Sequence, residues 1–339
     1  MAFCGFRHGH VMGLYHAARQ HPRVDVVGAV DEDAAAATAA KVTHGRYEDV
    51  LNSANIDAIA VGDYFGRRGG IIVDALTANV HVIADKPICT KLPQLDRIAA
   101  LASQKQRAIG CLLDLRDHGP YRTMRRLIRD GAIGEVRTVT FTAQHPLLLG
   151  KRPVWYFEEG KHGGTINDIG VHAIDLIPWL TGRVITRIAA ARAWNARLSQ
   201  FPNFQDAAQF MLTLDNGGGV LGDLSYLAPD GVGYAAEQYW RVTCHGDAGV
   251  VETNYNAKAV TLSAGSETKS IPVEANDPTG CLDAFLDDIA RKPQPGALTT
   301  ADVLDATRRT LLIQQAADEN RANVQLGLTD SLGPTAQPP

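Results

Sequence analysis

The sequence predicts an α/β protein of two domains, a doubly wound parallel sheet followed by an α+β domain with an open, mainly antiparallel sheet. Three observations carry this. The 339 residues exceed what one simple core needs and suit two domains. Up to residue 117, apolar strand-like runs alternate with helix-like segments, as the right-handed crossovers of a parallel sheet require. Beyond it, strands of alternating polarity follow one another with few helices, separated by turn signals such as Asp215-Asn216-Gly217.

In the first domain, residues 2–6 read as a short apolar strand and 10–20 as a helix that ends before Pro22. The β-branched run 24–30 is a second strand, and the alanine-rich segment 33–42 a helix with Asp31 or Glu32 near its N-cap. Strands continue at 56–61, 80–84 and 108–115, and helices at 70–78 and 92–103. Near-continuous apolar strands of this kind are buried on both faces. In the second domain a helix (120–130) and a turn (131–134) lead into the strand 136–143, and residues 163–180 read as a buried helix. Strands follow at 184–194, 209–214, 219–227, 239–246, 250–253 and 259–264. A closing helix, 300–317, can pack on either domain. The expected division is therefore 1–117 and 118–327, with a tail, 328–339, whose Gly, Pro, Ser and Thr content predicts disorder.

Hydrophobic residues at 45% and charged residues at 21% describe an ordinary soluble globular chain. A net charge of −4 with both signs interspersed provides neither a footprint for nucleic acid nor a polybasic face for a membrane. No apolar run reaches the roughly 18 residues a membrane span needs, and no secretory pattern opens the chain. Five scattered cysteines, without a Cys-x-x-Cys pair, point to a reducing compartment, with Cys4 and Cys111 as small buried hydrophobes. A cytoplasmic location is expected.

The first strand leads into the loop CGFRHGHVMGLYH, where a dinucleotide fold carries Gly-x-Gly-x-x-Gly. Glycines fall instead at Gly5, Gly9 and Gly13, and Arg7 and His10 hold the other two glycine positions counted from Gly5. The place still suits a pyrophosphate, because the amides and dipole of a helix N-terminus attract anions. Phe6, Arg7, His8 and His10 line this loop and can add donors; a turn that merely packs is the alternative. Asp31 ends the second strand, where a carboxylate accepts from both ribose hydroxyls of an adenosine and repels a 2′-phosphate, so NAD is expected over NADP. Its alternative role is a helix N-cap. Gly62 and Asp63, ending the third strand, pass near the adenosine or pyrophosphate, or simply pack. Few residues precede Gly5, which leaves the first strand short, through a start lying farther upstream or a weakened sheet edge.

The fourth strand ends in VIADKPIC, which sets Asp85-Lys86-Pro87 at the carboxyl edge of the sheet, where ligands bind in open α/β folds. Pro87 stiffens that turn. Lys86 there stabilises a developing alkoxide or polarises a carbonyl, unless it is a solvated surface charge. In the stretch GGTINDIGVHAIDLIPWL, Asp168, His172 and Asp175 are spaced i, i+4, i+7 and share one helix face, anchored by Ile169, Ile174, Ile177 and Leu180. Gly163 and Gly164 relax the backbone before this helix, Thr165 and Asp168 form a capping-box-like pair, and Gly170 marks a close approach. The three polar residues are either an acid–base set or two acids near a helix N-terminus with a core histidine. Asp and His at this spacing can hold zinc, but no third and fourth ligand accompany them, so no metal is expected.

Taken together, Asp85-Lys86-Pro87 resembles the Glu-Lys-Pro motif, and Asp168-x-Gly170-x-His172-x-x-Asp175 the second-domain motif, of the Gfo/Idh/MocA oxidoreductases, relatives of glucose–fructose oxidoreductase and inositol dehydrogenase. The similarity runs from Gly5 to Ala317 and includes GAIGEV at 131–136 and RPVWYF before the helix. It implies an N-terminal Rossmann domain that binds NAD(P), and a C-terminal domain whose sheet forms the interface of a homo-oligomer, dimer or tetramer. It further implies a dehydrogenase or reductase that moves hydride between the nicotinamide and a sugar, polyol or related hydroxy or keto compound. By the same resemblance Lys86 contacts the reacting oxygen and the nicotinamide ribose, and His172 is the base in oxidation and the acid in reduction. Asp168 binds substrate and tunes the histidine, with Asp175 behind them. Asp85 departs from the usual glutamate by one methylene, and the glycine loop is irregular.

Around this set, Arg116 and Asp114 can meet the carboxamide or the substrate, and Trp155, Tyr156, Lys161 and Asn167 can bind sugar hydroxyls, each being equally readable as packing or solvated charge. Substrate selectivity is expected to lie in the loops 155–164 and 226–240. Two other functions share the motifs: glycoside cleavage with retained NAD, and a non-catalytic NAD- or sugar-binding regulator, against which the presence of Lys86, Asp168 and His172 together argues.

Overall fold

Strand β1 (Ala2–Cys4), only three residues long, lies in the interior of a parallel sheet. In the computed structural model, which describes residues 1–53 and 55–327, it is joined by β2 (Gly28–Asp31), β3 (Thr43–His44), β4 (Ala58–Val61), β5 (His81–Ala84) and β6 (Ile109–Cys111). Their order is β3-β2-β1-β4-β5-β6, and every pairing is parallel. The short first strand is therefore no weakened edge: Phe3 faces Ala29 on one side and Ala60 on the other, and both neighbours hold it. Helices His10–Gln20, Ala34–Ala40, Phe65–Thr77 and Leu92–Lys105 make the crossovers. Asp33, not Asp31 or Glu32, caps the second of these, accepting at 2.9 Å from the amides of Ala35 and Ala36.

The contacts divide the chain into two compact units, Met1–Leu112 with Cys281–Arg308, and Leu113–Gly280 with Arg309–Leu326. The core of the first is not closed by its N-terminal residues alone. Leu282 and Phe285, on a helix (Gly280–Ile289) the sequence reading passed over, join Phe3, Val11, Ala60 and Ile83. A side chain at Gly110 would come within 2.9 Å of Phe285, so glycine on β6 makes room for it. The predicted strand at 108–115 stops at Cys111 because residues 114–117 wind into a 3-10 turn.

The second unit carries β7 (Val136–Pro146), β8 (Ile185–Trp194), β9 (Ala207–Leu214), β10 (Gly219–Ala228), β11 (Arg241–Gly246), β12 (Gly249–Thr253), β13 (Ala259–Ala264), β14 (Glu267–Pro272) and β15 (Val324–Gln325). They form one sheet in the order β14-β13-β12-β11-β7-β10-β9-β8-β15. All pairs are antiparallel except β7 and β10, which run parallel side by side. Helix Gly119–Arg129 lies on β12 and β13, and helix Val171–Thr181 on β7. Met211 and Leu221, partners across β9 and β10, stay about half exposed, at 52% and 51%. The helix at the end of the chain, Thr300–Asp318, divides between the units at Arg308 and Arg309. The tail 328–339 lies outside the described residues.

Two histidines of the first unit carry an acid sensitivity. Burial, with Arg107 adding to it, pushes the His81 imidazole down to about 4, and burial does the same to His8 against the pull of Asp85. Both are neutral in the folded chain at pH values where the unfolded chain, near 6.5, already takes up the proton. The folded state therefore binds fewer protons between about pH 4 and 6.5, and the stability these residues contribute is full above that window and lost on descending it. Thermal melts should show the midpoint falling over this range, less steeply in His81→Gln; a midpoint flat from pH 6.5 to 4 would refute the assignment.

Candidate functional site

In the first unit the loop between β1 and its helix is shaped by two glycines. Gly5 has φ +81°, and a Cβ there would lie 2.6 Å from the amide nitrogen of Asp63. At Gly62 a Cβ would meet Val11 at 2.5 Å and the Gly5 carbonyl at 2.6 Å. The ends of β1 and β4 thus touch backbone to backbone, which only glycine permits. Gly9 is different: nothing lies within 4 Å of where its Cβ would be. The helix that follows has no side-chain cap and no acidic residue in its first turn. Open space over Gly9 next to uncapped amides is a fitting cradle for a pyrophosphate.

Asp31 is buried, and its carboxylate accepts from the amides of Phe6 and Asp33 and pairs with Arg7 at 3.4 Å. Arg7 also reaches Asp63 at 3.3 Å, and Arg67 ties Asp63 at 3.1 Å to Glu32 at 2.6 Å. Three carboxylates and two guanidiniums therefore edge the ends of β2 and β4, and of these only Arg67 had no place in the sequence reading.

The end of β5 is a second network. Asp85 is 1% exposed and holds the Nδ1 atoms of His8, in a short contact, and His10, at 3.2 Å. Arg68, fully buried on helix Phe65–Thr77, donates to Asp85 at 3.1 Å, to the carbonyls of Lys86 and Pro87, and to that of Asp63 at 2.7 Å. Burial pushes the Asp85 carboxyl up, but His8, Arg68 and His10 outweigh it, so it stays well below the usual carboxylate range. His8, pushed down to about 4 by burial, is a neutral donor beside it. The aspartate that replaces the longer glutamate thus reaches its partners through residues of the glycine loop itself. The ligand atoms of His8, His10 and Asp85 lie within 4.8 Å of one another, as a metal would want, but the Arg68 guanidinium already supplies the cation on Asp85. Arg68 was invisible in the sequence, where an arginine in a helix reads as a surface charge. The turn it grips carries Lys86, 4% exposed, with its ammonium 5.6 Å from the centre of the Phe65 ring and a cis bond to Pro87.

In the second unit the predicted single helix is two. Ile166–Gly170 is a π-helical turn and Val171–Thr181 an α-helix. Wider winding shifts Asp168 off the strict i, i+4 register with His172. Thr165 makes no cap: its hydroxyl donates to the carbonyl of Gln205, while the amides of Ile166 and Asn167 are taken by Oε1 of Gln314 at 2.9 and 3.3 Å. Gly164, φ +97°, has to be glycine because a Cβ would run into that Gln314 amide at 2.3 Å. The close neighbours anticipated at Gly170 are Ile166 and Leu224, at 3.1 and 3.2 Å from a Cβ there.

Asp168, 3% exposed, accepts from the Tyr226 hydroxyl in a short contact and meets Nε2 of His162 at 3.3 Å. Burial and then Asp168 hold the Tyr226 phenol well above its ordinary value, so it remains a donor. His172, also 3% exposed, has its ring 4.6 Å from that of Trp240. Asp175 takes both arms of Arg116 at 2.8 and 2.6 Å. Each of the three polar residues read as one face thus meets a residue from another part of the chain.

Tyr156 and Trp155 are buried, their rings tilted to each other with centres 4.2 Å apart, with Arg152 over Tyr156 at 4.7 Å. Asn167 is buried, Asp114 is exposed on the 3-10 turn, and Lys161 pairs with Glu158 at 2.5 Å. The sequence reading singled out the loop 226–240 without naming its residues. Tyr226 and Trp240 at its ends, with His162 and His145, make the aromatic surround of Asp168 and His172. Burial pushes the thiols of Cys89 and Cys244 up to about 12 and that of Cys4 higher still, which leaves these three unreactive.

A parallel sheet in the order 3-2-1-4-5-6, with a glycine-cornered loop at its first crossover, defines a dinucleotide-binding protein. The chain belongs to the GFO/IDH/MocA family of oxidoreductases. Residues 1–111 match its "Oxidoreductase family, NAD-binding Rossmann fold" and residues 121–252 its "GFO/IDH/MocA C-terminal domain", together most of the chain. Its first unit is accordingly an NAD-binding Rossmann domain. Among curated relatives, inositol 2-dehydrogenase 2 of Saccharopolyspora erythraea is 26% identical over 62% of this chain and 61% of its own. The dTDP-3,4-didehydro-2,6-dideoxy-alpha-D-glucose 3-reductase of Saccharopolyspora spinosa is 32% identical over 37% of each chain. The match therefore spans less than two thirds of either relative. An aldose-aldose oxidoreductase of Caulobacter crescentus, solved with glycerol, shares the fold at a TM-score of 0.76 and 19% identity, covering 96% of this chain and 99% of that one. Among the described residues no helix is long and apolar enough to cross a membrane.

Proposed function

We propose that the protein is an NAD-dependent dehydrogenase or reductase acting on a CH–OH or keto group of a sugar, polyol or related compound. The observation that carries this is that the charged and titratable side chains the reaction needs are buried yet unlike a packing core. Arg68, paired with Asp85, holds the Lys86 carbonyl at the carboxyl end of β5, and Asp168 and His172 lie in an aromatic surround in the second unit. Isolated burial of such groups is costly and is retained where they act.

Gly5, Gly9, the uncapped helix amides and the acidic edge at Asp31 are the residues that would hold the cofactor, which supplies the hydride acceptor or donor. In oxidation the carbinol C–H bond breaks with its electron pair, His172 takes the hydroxyl proton on its imidazole, and the C–O bond becomes a carbonyl. Lys86 offsets the negative charge that grows on that oxygen. Asp168, already an acceptor for Tyr226 and His162, binds a substrate hydroxyl and orients it. Reduction runs the same proton back from His172. Three carboxylates, Asp31, Glu32 and Asp63, against two guanidiniums, Arg7 and Arg67, leave this edge one negative charge in excess, which disfavours a 2′-phosphate and supports NAD over NADP.

A panel of inositols, sugars and keto-sugars with NAD and with NADP, followed by absorbance of the reduced nicotinamide, tests this. Turnover with NAD on some member is expected; NAD binding without turnover across the panel would turn the reading into that of a regulator. We also place the protein in the cytoplasm as a homo-oligomer formed through the open sheet, with Met211 and Leu221 in the interface. Light scattering that gives a monomer mass would sink the latter.

A further inference from the structure

Helix Gly119–Arg129 carries Arg122, Arg125, Arg126 and Arg129 at i, i+3, i+4 and i+7, so four guanidiniums share one face. Its other face is the buried one, with Tyr121, Met124, Leu127 and Ile128. With Arg116 and Trp179, and with Asp117, Asp130, Glu274 and Asp277 as its acids, the arginines line a cavity of about 530 Å³, the size of a small-molecule site. Like charges at i, i+4 repel, so such a face costs stability unless counter-charge sits on it. Counter-charge is present for part of it only. Glu274 serves Arg126 at 3.0 Å and Arg122 at 3.7 Å, Asp130 lies 3.8 Å from Arg126, and Arg116 has Asp175. Among the described residues no carboxylate lies within ion-pair distance of Arg125 or Arg129.

A solvated, mobile arginine would make this unremarkable in function, but Arg125 is neither. Its guanidinium lies 4.3 Å over the Trp179 ring, and its Nε donates to the Trp179 carbonyl at 3.0 Å, near the end of helix Val171–Thr181. That grip fixes the side chain before any ligand arrives and leaves the terminal nitrogens to others. Partial burial and the nearby charges of Arg129 and Arg116 press its pKa down, the mark of an uncompensated cation.

We propose that this cavity is a binding site for a phosphoryl anion, met either as free pyrophosphate or as the phosphate tail of a nucleotide, with Arg125 and Arg129 as its principal donors. Planar guanidiniums match phosphate oxygens in paired hydrogen bonds, and a cavity of this size suits a small ligand rather than a polymer. The site is separate in residues from the glycine loop, and it stands whether or not the protein turns over a polyol.

Calorimetry on the full chain, saturated with NAD to block the glycine loop, tests it with pyrophosphate and with ADP. Pyrophosphate is expected to bind at one site, more weakly as salt rises, and about tenfold or more weakly in R125Q/R129Q. ADP binding like pyrophosphate identifies the phosphoryl group alone as the ligand, and tighter ADP binding identifies a nucleotide. R129Q alone changes only an exposed side chain and should show a smaller loss in the same direction, which guards against a misfolded double variant. Absence of binding at millimolar pyrophosphate, or equal affinity in both variants and the parent, overturns the proposal.

Discussion

Replacing His172 by alanine lowers turnover by about 10² to 10⁴ and leaves NAD affinity nearly unchanged. The imidazole belongs to the second unit, where its ring is walled by Trp240, while the residues that would hold NAD are all in the first. Loss of the proton acceptor should therefore appear in kcat and not in the dissociation constant of the cofactor. His172→Gln, closer in volume, separates chemistry from packing: it keeps the melting temperature and still loses turnover. An equal fall in turnover and NAD affinity would assign His172 to the core instead.

Lys86→Met should cost about 10² to 10³ in kcat and in kcat/KM alike, the pattern of an interaction made only as charge develops on oxygen. The substitution removes a charge that is 4% exposed. Methionine of similar length over the Phe65 ring should leave the melting temperature unchanged or raised, since a buried cation gives up hydration to be there. Lys86→Arg is not expected to rescue, because the guanidinium is broader than the space an ammonium fills and spreads its charge. Turnover surviving in Lys86→Met would remove the lysine from the chemistry.

The parts of the fold that were legible in the sequence are those with local causes. The helix at His10–Gln20 and the strand at Ala259–Ala264 agree to the residue, because a proline two residues on ends the one and alternation sets the other. Gly5 and Gly62 stood out and proved to be where two strand ends touch. Helix Gly280–Ile289 was missed, although it closes the core of the first unit, because the partners of its apolar residues lie far back along the chain. The edge strand Glu267–Pro272 was missed for its polarity, being exposed along nearly all its length.

The site shows the same division. Spacing and residue type picked out Lys86, Asp168, His172 and the loop around Gly9, but could not supply their partners. Arg68 looked like any helix arginine, yet it is fully buried and holds the turn that carries Lys86. Gln314, far along the chain, takes the amides of Ile166 and Asn167 where a Thr165–Asp168 capping pair was expected, and a π-turn replaces the even helix.

By itself the sequence determined that strands and helices alternate at first and that strands dominate afterwards, the identity of the chemical groups and the corners where only glycine fits. These are properties of a residue and its near neighbours. Only the tertiary structure decided that Asp85 belongs with His8, His10 and Arg68, Asp168 with Tyr226 and His162, and Asp175 with Arg116. A buried charge has to find its compensation wherever the fold brings a partner within hydrogen-bond reach, and that distance is set by packing, not by position along the chain.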